Sequence, residues 1–481
     1  MMTNHATSPT FRPFGCWRGR LLAVGAVLGA AACSSLLDVK NPNNVNQSDL
    51  DNPASATSQV SGVLGSVARA WGQILTPYAM ATDELTWIGS RDAWRNLDEG
   101  ELSEPTNEFV DAAYFYVGEA RWWADETIRR LGGFASRNVL PDSNDLARVY
   151  LYGAIVYTMI GNLFDNFPIG SSRTVAAAPL GASRMDSLYR AAITYATRGI
   201  AIAQATGNKA LELDLTSARA VARYYLAVWS KLNPPPASVP LASPLVNDAG
   251  AVTDANAALA LAAALKTADY RFQFEYSPST VSTDIGFEVN ERKEMRIGGA
   301  YVYPNCTESG CGSGGKTVLI DSIRLKDPID NRADPELARF LADFIGTPFT
   351  GTPTTTATRY GPLTFLSVRE LRLIVAEAAL AAGNTAGFQA EIDSLRAQDG
   401  LTAWTPASTV SALDLLKYER QTNLFLQGRR LSDHYRFGVA SDIWKAGEEA
   451  LATPGTFLPI TISERLANPA CLADPASCGG R

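Results

Sequence analysis

Apolar residues return every three or four positions through long stretches of the chain, the spacing of amphipathic helices. "SATSQVSGVLGSVARAWGQIL" puts Val60, Val63, Leu64, Val67, Trp71 and Ile74 on one face. In "TNEFVDAAYFYVGEARWWADETIRRL" the same spacing picks out Phe109, Ala113, Tyr116, Ala120 and Trp123. "NDLARVYLYGAIVYTMIGNLFDNFP" predicts a helix stopped at Pro168. "RMDSLYRAAITYATRGIAIAQATG" and "LTSARAVARYYLAVWSKLN" predict two more, the second ended by Pro234, Pro235 and Pro236. From about Asp284 to Thr350 the periodicity lapses into Gly, Asn, Thr and Pro, with short strand-like runs "AYVY" and "TVLI". It returns at "SVRELRLIVAEAALAAGN", where Val368, Leu371, Ile374, Val375 and Ala378 form a stripe that stops at Gly383. "TAGFQAEIDSLRAQDG" follows with Phe388, Ile392 and Leu395 in register. A last helix opens at Ser411, with Asp414 placed as in a capping box, and is predicted to run through "LLKYERQTNLFLQG".

This pattern predicts a mostly α fold. Antiparallel helix pairs with small residues at their contacts suggest tetratricopeptide-like stacking, interrupted by an irregular, loop-rich insert with short β-strands at about 284–357. Residues 53–481 read as one helical domain. The first 32 residues read as a signal peptide: Arg12, Arg18 and Arg20 precede "LLAVGAVLGAAA", and no acidic residue comes before Asp38. That apolar run is too short to cross a bilayer. Cys33 follows it directly, as the lipidated cysteine of a bacterial lipobox does, and residues 33–52 read as a polar tether. Ala30 stands where a lipobox usually has leucine, so an ordinary signal peptide with a chance cysteine is the alternative.

Removing residues 1–32 takes away three arginines and no acid, so the formal charge moves from −7 to −10. A chain that acidic, without a basic run, is a poor partner for nucleic acid. Four cysteines remain beyond Cys16 and Cys33, in two close pairs: Cys306 with Cys311, and Cys471 with Cys478. Outside the cytoplasm such cysteines usually oxidise. Three pairings are open from sequence alone, and short loops favour Cys306–Cys311 and Cys471–Cys478. A four-cysteine zinc site is the alternative, although His434 is the only histidine after the signal segment. No cofactor is called for. "GCGSGGKT" (310–317) matches a P-loop letter for letter. Polar "YPNCTES" precedes it and strand-like "VLIDSI" follows, the reverse of the strand-to-helix setting that a P-loop needs, so it reads as a disulfide-pinned surface loop.

Three C-terminal segments resemble the SusD/RagB family of outer-membrane nutrient-binding lipoproteins. In "SVRELRLIVAEAALAAGN", Glu370, Leu373, Ala376, Glu377 and Ala378 match the family's R-x-x-E-x-x-L-x-x-A-E-A helix. In "LLKYERQTNLFLQGRRLSDHYRFG", Glu419, Arg420, Gly428, Arg430 and Asp433 match its E-R…E-G-x-R-x-x-D segment. In "FLPITISERLANPAC", Leu458, Pro459, Ile460, Glu464, Asn468 and Pro469 match its L-P-I…E…N-P terminus. Ser367, Gln427 and Asn423 depart from the pattern at charged positions that read as scaffold ion-pair partners. The resemblance implies a SusD-like fold and a non-catalytic surface lipoprotein. Such a protein captures an oligosaccharide or other nutrient for a TonB-dependent, SusC-like outer-membrane transporter.

The loop "TPYAMATDELTWIGSRDAWRNLDEGELSEPTN" concentrates the chemistry that carbohydrate needs: flat apolar faces for sugar C–H surfaces, and charged or amide groups for hydroxyls. Tyr78, Asp83, Trp87, Arg91, Trp94 and Asn96 are its candidate ligand contacts. Tyr301 and Tyr303 share one face of "AYVY" and are more simply packing residues. A glycoside hydrolase would pair Glu419 with Asp433. Arg420, Arg429 and Arg430 lie close by and favour ionised structural pairs, so no catalytic residue is assigned. A scaffold lipoprotein that binds only protein is the remaining alternative.

Overall fold

The computed structural model describes residues 47–172, 175–277, 279, 281–304, 320–345 and 360–479. Cys33, Cys306, Cys311 and the "GCGSGGKT" stretch lie outside them. Gln47–Leu50 forms a single helical turn in the N-terminal unit, and the elements below belong to the unit that starts at Pro53.

Helices form where the apolar spacing places them. α1 is Ala56–Met80, α2 Asp92–Asp98, α3 Glu108–Ser136, α4 Ser143–Leu163, α5 Asp186–Thr206 and α6 Lys209–Leu232. α7, Ala249–Ala264, escapes a stripe search because alanine occupies so many of its positions. α8, Pro335–Ile345, lies inside the insert. Then come α9 (Val368–Ala381), α10 (Thr385–Gln398), α11 (Ala412–Asn423) and α12 (Arg430–Phe437). Ser367 caps α9 by accepting from the Glu370 amide, and Ser411 caps α11 by accepting from Asp414. Gly383 ends the α9 turn in the left-handed region.

Two boundaries and one buried face differ from expectation. α4 ends at Leu163 rather than near Pro168, because Phe164 turns extended and bridges to Leu458. α11 stops at Asn423, since Leu426 and Gly428 adopt positive φ and turn the chain. The core face of α3 is rotated: Val110, Ala113, Tyr114, Val117 and Ala120 are buried, whereas Phe109, Tyr116 and Trp123 are only partly covered.

Consecutive helices pack in series: α1 on α3 and α4, α4 on α5, α5 on α6, α6 on α7, and α7, α10 and α11 on α9. Two- and three-residue turns after Thr206 and Ala381 return the chain antiparallel. The strands form two-stranded antiparallel pieces. β1 (Leu85–Trp87) joins β3 (Met295–Ile297), β2 (Arg271–Phe274) joins β6 (Leu363–Ser367), and β4 (Val302–Pro304) joins β5 (Ile320–Ile323). Tyr301 precedes β4 and is buried, while Tyr303 is exposed, so the two do not share a face. Among the described residues no helix is long and apolar enough to cross a membrane.

A lattice of buried charges ties the blocks together. Glu370 and Glu377 sit two turns apart on one face of α9. Arg429 meets Glu370 at 2.9 Å and Arg436 meets Glu377 at 2.6 Å, while Tyr225 and Tyr224 of α6 donate their phenols to the same carboxylates. Asp433 accepts from Arg420 (2.8 Å) and Arg436 (2.7 Å), and Arg396 holds both Asp327 and Glu419. Such pairs fix register more than they add stability. The sequence departures fall inside this lattice. Asn423 accepts from Arg369 and donates to Glu419, and Gln427 donates to the Asn423 carbonyl. Glu419 and Asp433 are 1% and 5% exposed, each bound to arginine, so they do not flank a cleft as a hydrolase pair would. Near the C-terminus Cys471 and Cys478 form a disulfide.

Candidate functional site

α1 ends at Met80, where the Thr82 hydroxyl donates to the Ala79 carbonyl and accepts from the Glu84 amide. The chain then runs straight into β1. Its register against β3 pairs Leu85 with Ile297 and Trp87 with Met295. The approach is close: a Cβ on Gly298 would lie 1.9 Å from the Asp83 carbonyl oxygen, and one on Gly89 1.9 Å from Glu294 Oε2. Only glycine fits at either contact. Glu294 clasps the bend that follows, accepting from the Ser90 amide (2.8 Å), the Arg91 amide (3.1 Å) and the Ser90 hydroxyl (3.0 Å). Asp98, at the end of α2, accepts from the Trp87 amide at 2.8 Å. A loop between two helices is thus fixed at both edges.

Its underside is charged. Asp83 receives two bonds from Arg430, at 2.7 and 2.6 Å, and faces His434 Nε2 at 3.2 Å. Burial alone would raise its carboxyl, but Arg430 and His434 outweigh burial and hold it well below the usual range. Glu84 is the opposite case. Its Oε1 accepts from the Leu426 amide, and among the described residues Oε2 has no hydrogen-bond partner. Burial, with Asp83 nearby, pushes Glu84 up to about 8. A carboxyl raised in this way contributes stability that is full below its unfolded pKa, about 4.3, and is lost as pH rises towards about 8. Glu84→Gln keeps the acceptor and is expected to flatten the fall in stability between about pH 5 and about pH 8. Urea unfolding across that range reads it, and curves parallel to wild type would mean that Glu84 does not carry the proton.

On the upper side Trp87 is half-buried, with the Arg95 guanidinium 5.6 Å from its ring centroid. Arg91 is part-exposed, bound to Glu108 at 3.1 Å and lying over the Phe109 ring. Asn96 is part-exposed on α2.

No protein-family model and no curated protein matches the sequence. The fold does match solved structures. A SusD superfamily protein from Bacteroides fragilis aligns at TM-score 0.54, with 14% identity over 87% of this chain and 98% of that one. A SusD-like carbohydrate-binding protein from Bacteroides fragilis NCTC 9343 aligns at TM-score 0.55, with 13% identity over 86% of this chain and 99% of that one. Surface glycan-binding protein A from Bacteroides thetaiotaomicron, solved with laminarihexaose, aligns at TM-score 0.53, with 12% identity over 86% of this chain and 97% of that one.

The chain has a SusD-like fold. Within it the six candidate contacts separate by burial. Tyr78 is fully buried and its hydroxyl accepts from the Leu431 amide. Asp83 is spent on Arg430, and Trp94 is fully buried in a parallel stack on Phe109, 3.6 Å between centroids. These three are corrected to core: the spacing that marks a loop does not tell which of its aromatics point inward. Trp87, Arg91 and Asn96 retain surface in the SusD-like frame. The groups that set their geometry, Glu294, Gly298 and Arg430, lie about two hundred positions away or farther, and no local signal marks them.

Proposed function

We propose that this protein captures a glycan on the face built from Trp87, Arg91 and Asn96. It would hand that glycan to a TonB-dependent, SusC-like outer-membrane transporter while anchored to the outer membrane through lipid on Cys33. The observation that carries the reading is a half-buried tryptophan ring held at both edges of a clamped loop, with a guanidinium and an amide alongside. Sugar rings offer an apolar C–H face for the first and hydroxyls for the others. The fold likeness supports the reading, because one structural neighbour was solved with laminarihexaose.

Trp87→Ala is expected to weaken binding about 10- to 100-fold, the worth of roughly 1.5–3 kcal/mol for an aromatic covered by ligand. Isothermal titration with laminarihexaose, maltohexaose and cellohexaose measures it. Equal affinity of variant and wild type for whichever glycan binds would remove Trp87 from the site.

A further inference from the structure

A concavity lined by none of the clamped loop's residues lies between α3, residues 167–172 and 175–177, and the C-terminal stretch 461–468. It encloses about 560 Å³, within the range of small-molecule sites. Phe115 and Trp122, seven residues apart, stand about two turns from each other on one side of α3. Phe115 is 64% exposed, and Trp122 is half-buried. Between them is Gly118, where an added Cβ would meet no atom within 4 Å. The helix therefore presents two aromatic faces with bare floor between them.

Two residues that line the same cleft carry buried hydroxyls. Tyr114 is 6% exposed and Thr461 0%, and neither Tyr114 Oη nor Thr461 Oγ1 has a hydrogen-bond partner among the described residues. Burying a polar group without a partner is costly, so such groups mark places where something else completes the bonding. Burial, with Glu464 nearby, keeps the Tyr114 phenol protonated far above its ordinary value, so it stands ready to donate. Glu464 has one oxygen engaged, Oε1, which accepts from Asn468 Nδ2 at 2.8 Å.

The charge of the walls narrows the ligand. Among the described residues that line the cleft, Asp111, Glu119 and Glu464 stand against one guanidinium, Arg121, which is already committed to Asp125 and the Gly170 carbonyl. An anionic group would be repelled. Aromatic faces, neutral buried hydroxyls and a carboxylate acceptor together suit an uncharged polyhydroxylated ring. We infer that this cleft is a second saccharide site, separate from the Trp87 face, which takes a neutral sugar unit between Phe115 and Trp122 with its hydroxyls on Tyr114 and Thr461.

The test is titration with laminarihexaose, maltohexaose and cellohexaose, comparing wild type, Trp87→Ala, and Trp87→Ala combined with cleft variants. Gly118→Leu puts a side chain on the floor at a position where its Cβ meets no atom within 4 Å, and it replaces a helix-interior glycine with a better helix former, so it is expected to leave the melting temperature unchanged or raised. Tyr114→Phe with Thr461→Val removes only the hydroxyls. The site predicts residual binding in Trp87→Ala that falls at least tenfold with Gly118→Leu and about tenfold with the hydroxyl pair. Binding that vanishes in Trp87→Ala alone overturns the second site and leaves the first standing. Binding left unchanged by Trp87→Ala yet lost with Gly118→Leu upholds the cleft and removes the Trp87 face. Residual binding indifferent to Gly118→Leu, or no binding of any of the three glycans, overturns the cleft.

Discussion

Arg430→Met is expected to lower the unfolding free energy by about 3–5 kcal/mol near neutral pH, the usual result of stranding one partner of a buried ion pair. Asp83 is 6% exposed, and its two strong bonds both come from Arg430. Without them, among the described residues only His434 bonds the carboxylate. The pH dependence separates this mechanism from lost packing. In wild type the Asp83 carboxyl is held low, so its contribution is full above the unfolded value of about 3.9 and is lost as pH falls below it. In Arg430→Met burial dominates and the carboxyl takes up a proton more readily, so the deficit should shrink as pH is lowered from about 7 to about 5. Urea unfolding at both values, read by circular dichroism, gives the comparison. A deficit that stays constant with pH would show that the methionine misfits rather than that Asp83 is stranded. The double variant Asp83→Leu/Arg430→Met should recover much of the loss, because replacing both charges removes the desolvation cost as well as the attraction.

Trp94→Ala is expected to cost about 3–5 kcal/mol, as large aromatic truncations in a closed core do. The indole is fully buried and stacked on Phe109, whose ring also lies under Arg91. The loss should therefore be seen without any ligand, as a shift in the urea midpoint. A ligand contact would behave in reverse, with little change in midpoint and a fall in affinity. A midpoint shift below about 1 kcal/mol would return Trp94 to the surface.

The two tryptophans of "TWIGSRDAW" show where the sequence was legible and where it was not. Their loop position was readable from the helices that end before it and begin after it. Their orientation was set by Asp98, Glu294 and Phe109, which act through tertiary contact. Helices α1, α9 and α10 were readable because their buried positions keep a 3.6-residue period. α7 was not, because a run of alanines packs without marking a face. The C-terminal signatures were readable as ion-pair residues from arginines adjacent to acids. The acids that Arg430 and Arg429 bind, Asp83 and Glu370, sit on other elements, and only the fold pairs them. Nor did the apolar stripe of α3 flag the cleft. Phe115 lies off that stripe, and an aromatic out of phase with its own helix is the one mark the sequence offered.

The bond between Asp83 and Arg430 joins positions 347 apart. A chain made from its N-terminus exposes the loop after α1 early and receives the guanidinium beneath it only near the end of synthesis. Until then Asp83 is an acid with no reason to stay inside, and Glu84 lacks the Leu426 amide that faces it. The settled geometry of this loop is therefore among the last features the polypeptide acquires. Any product cut short before α12 would carry every surface residue of the loop and still lack the guanidinium that holds Asp83 beneath it.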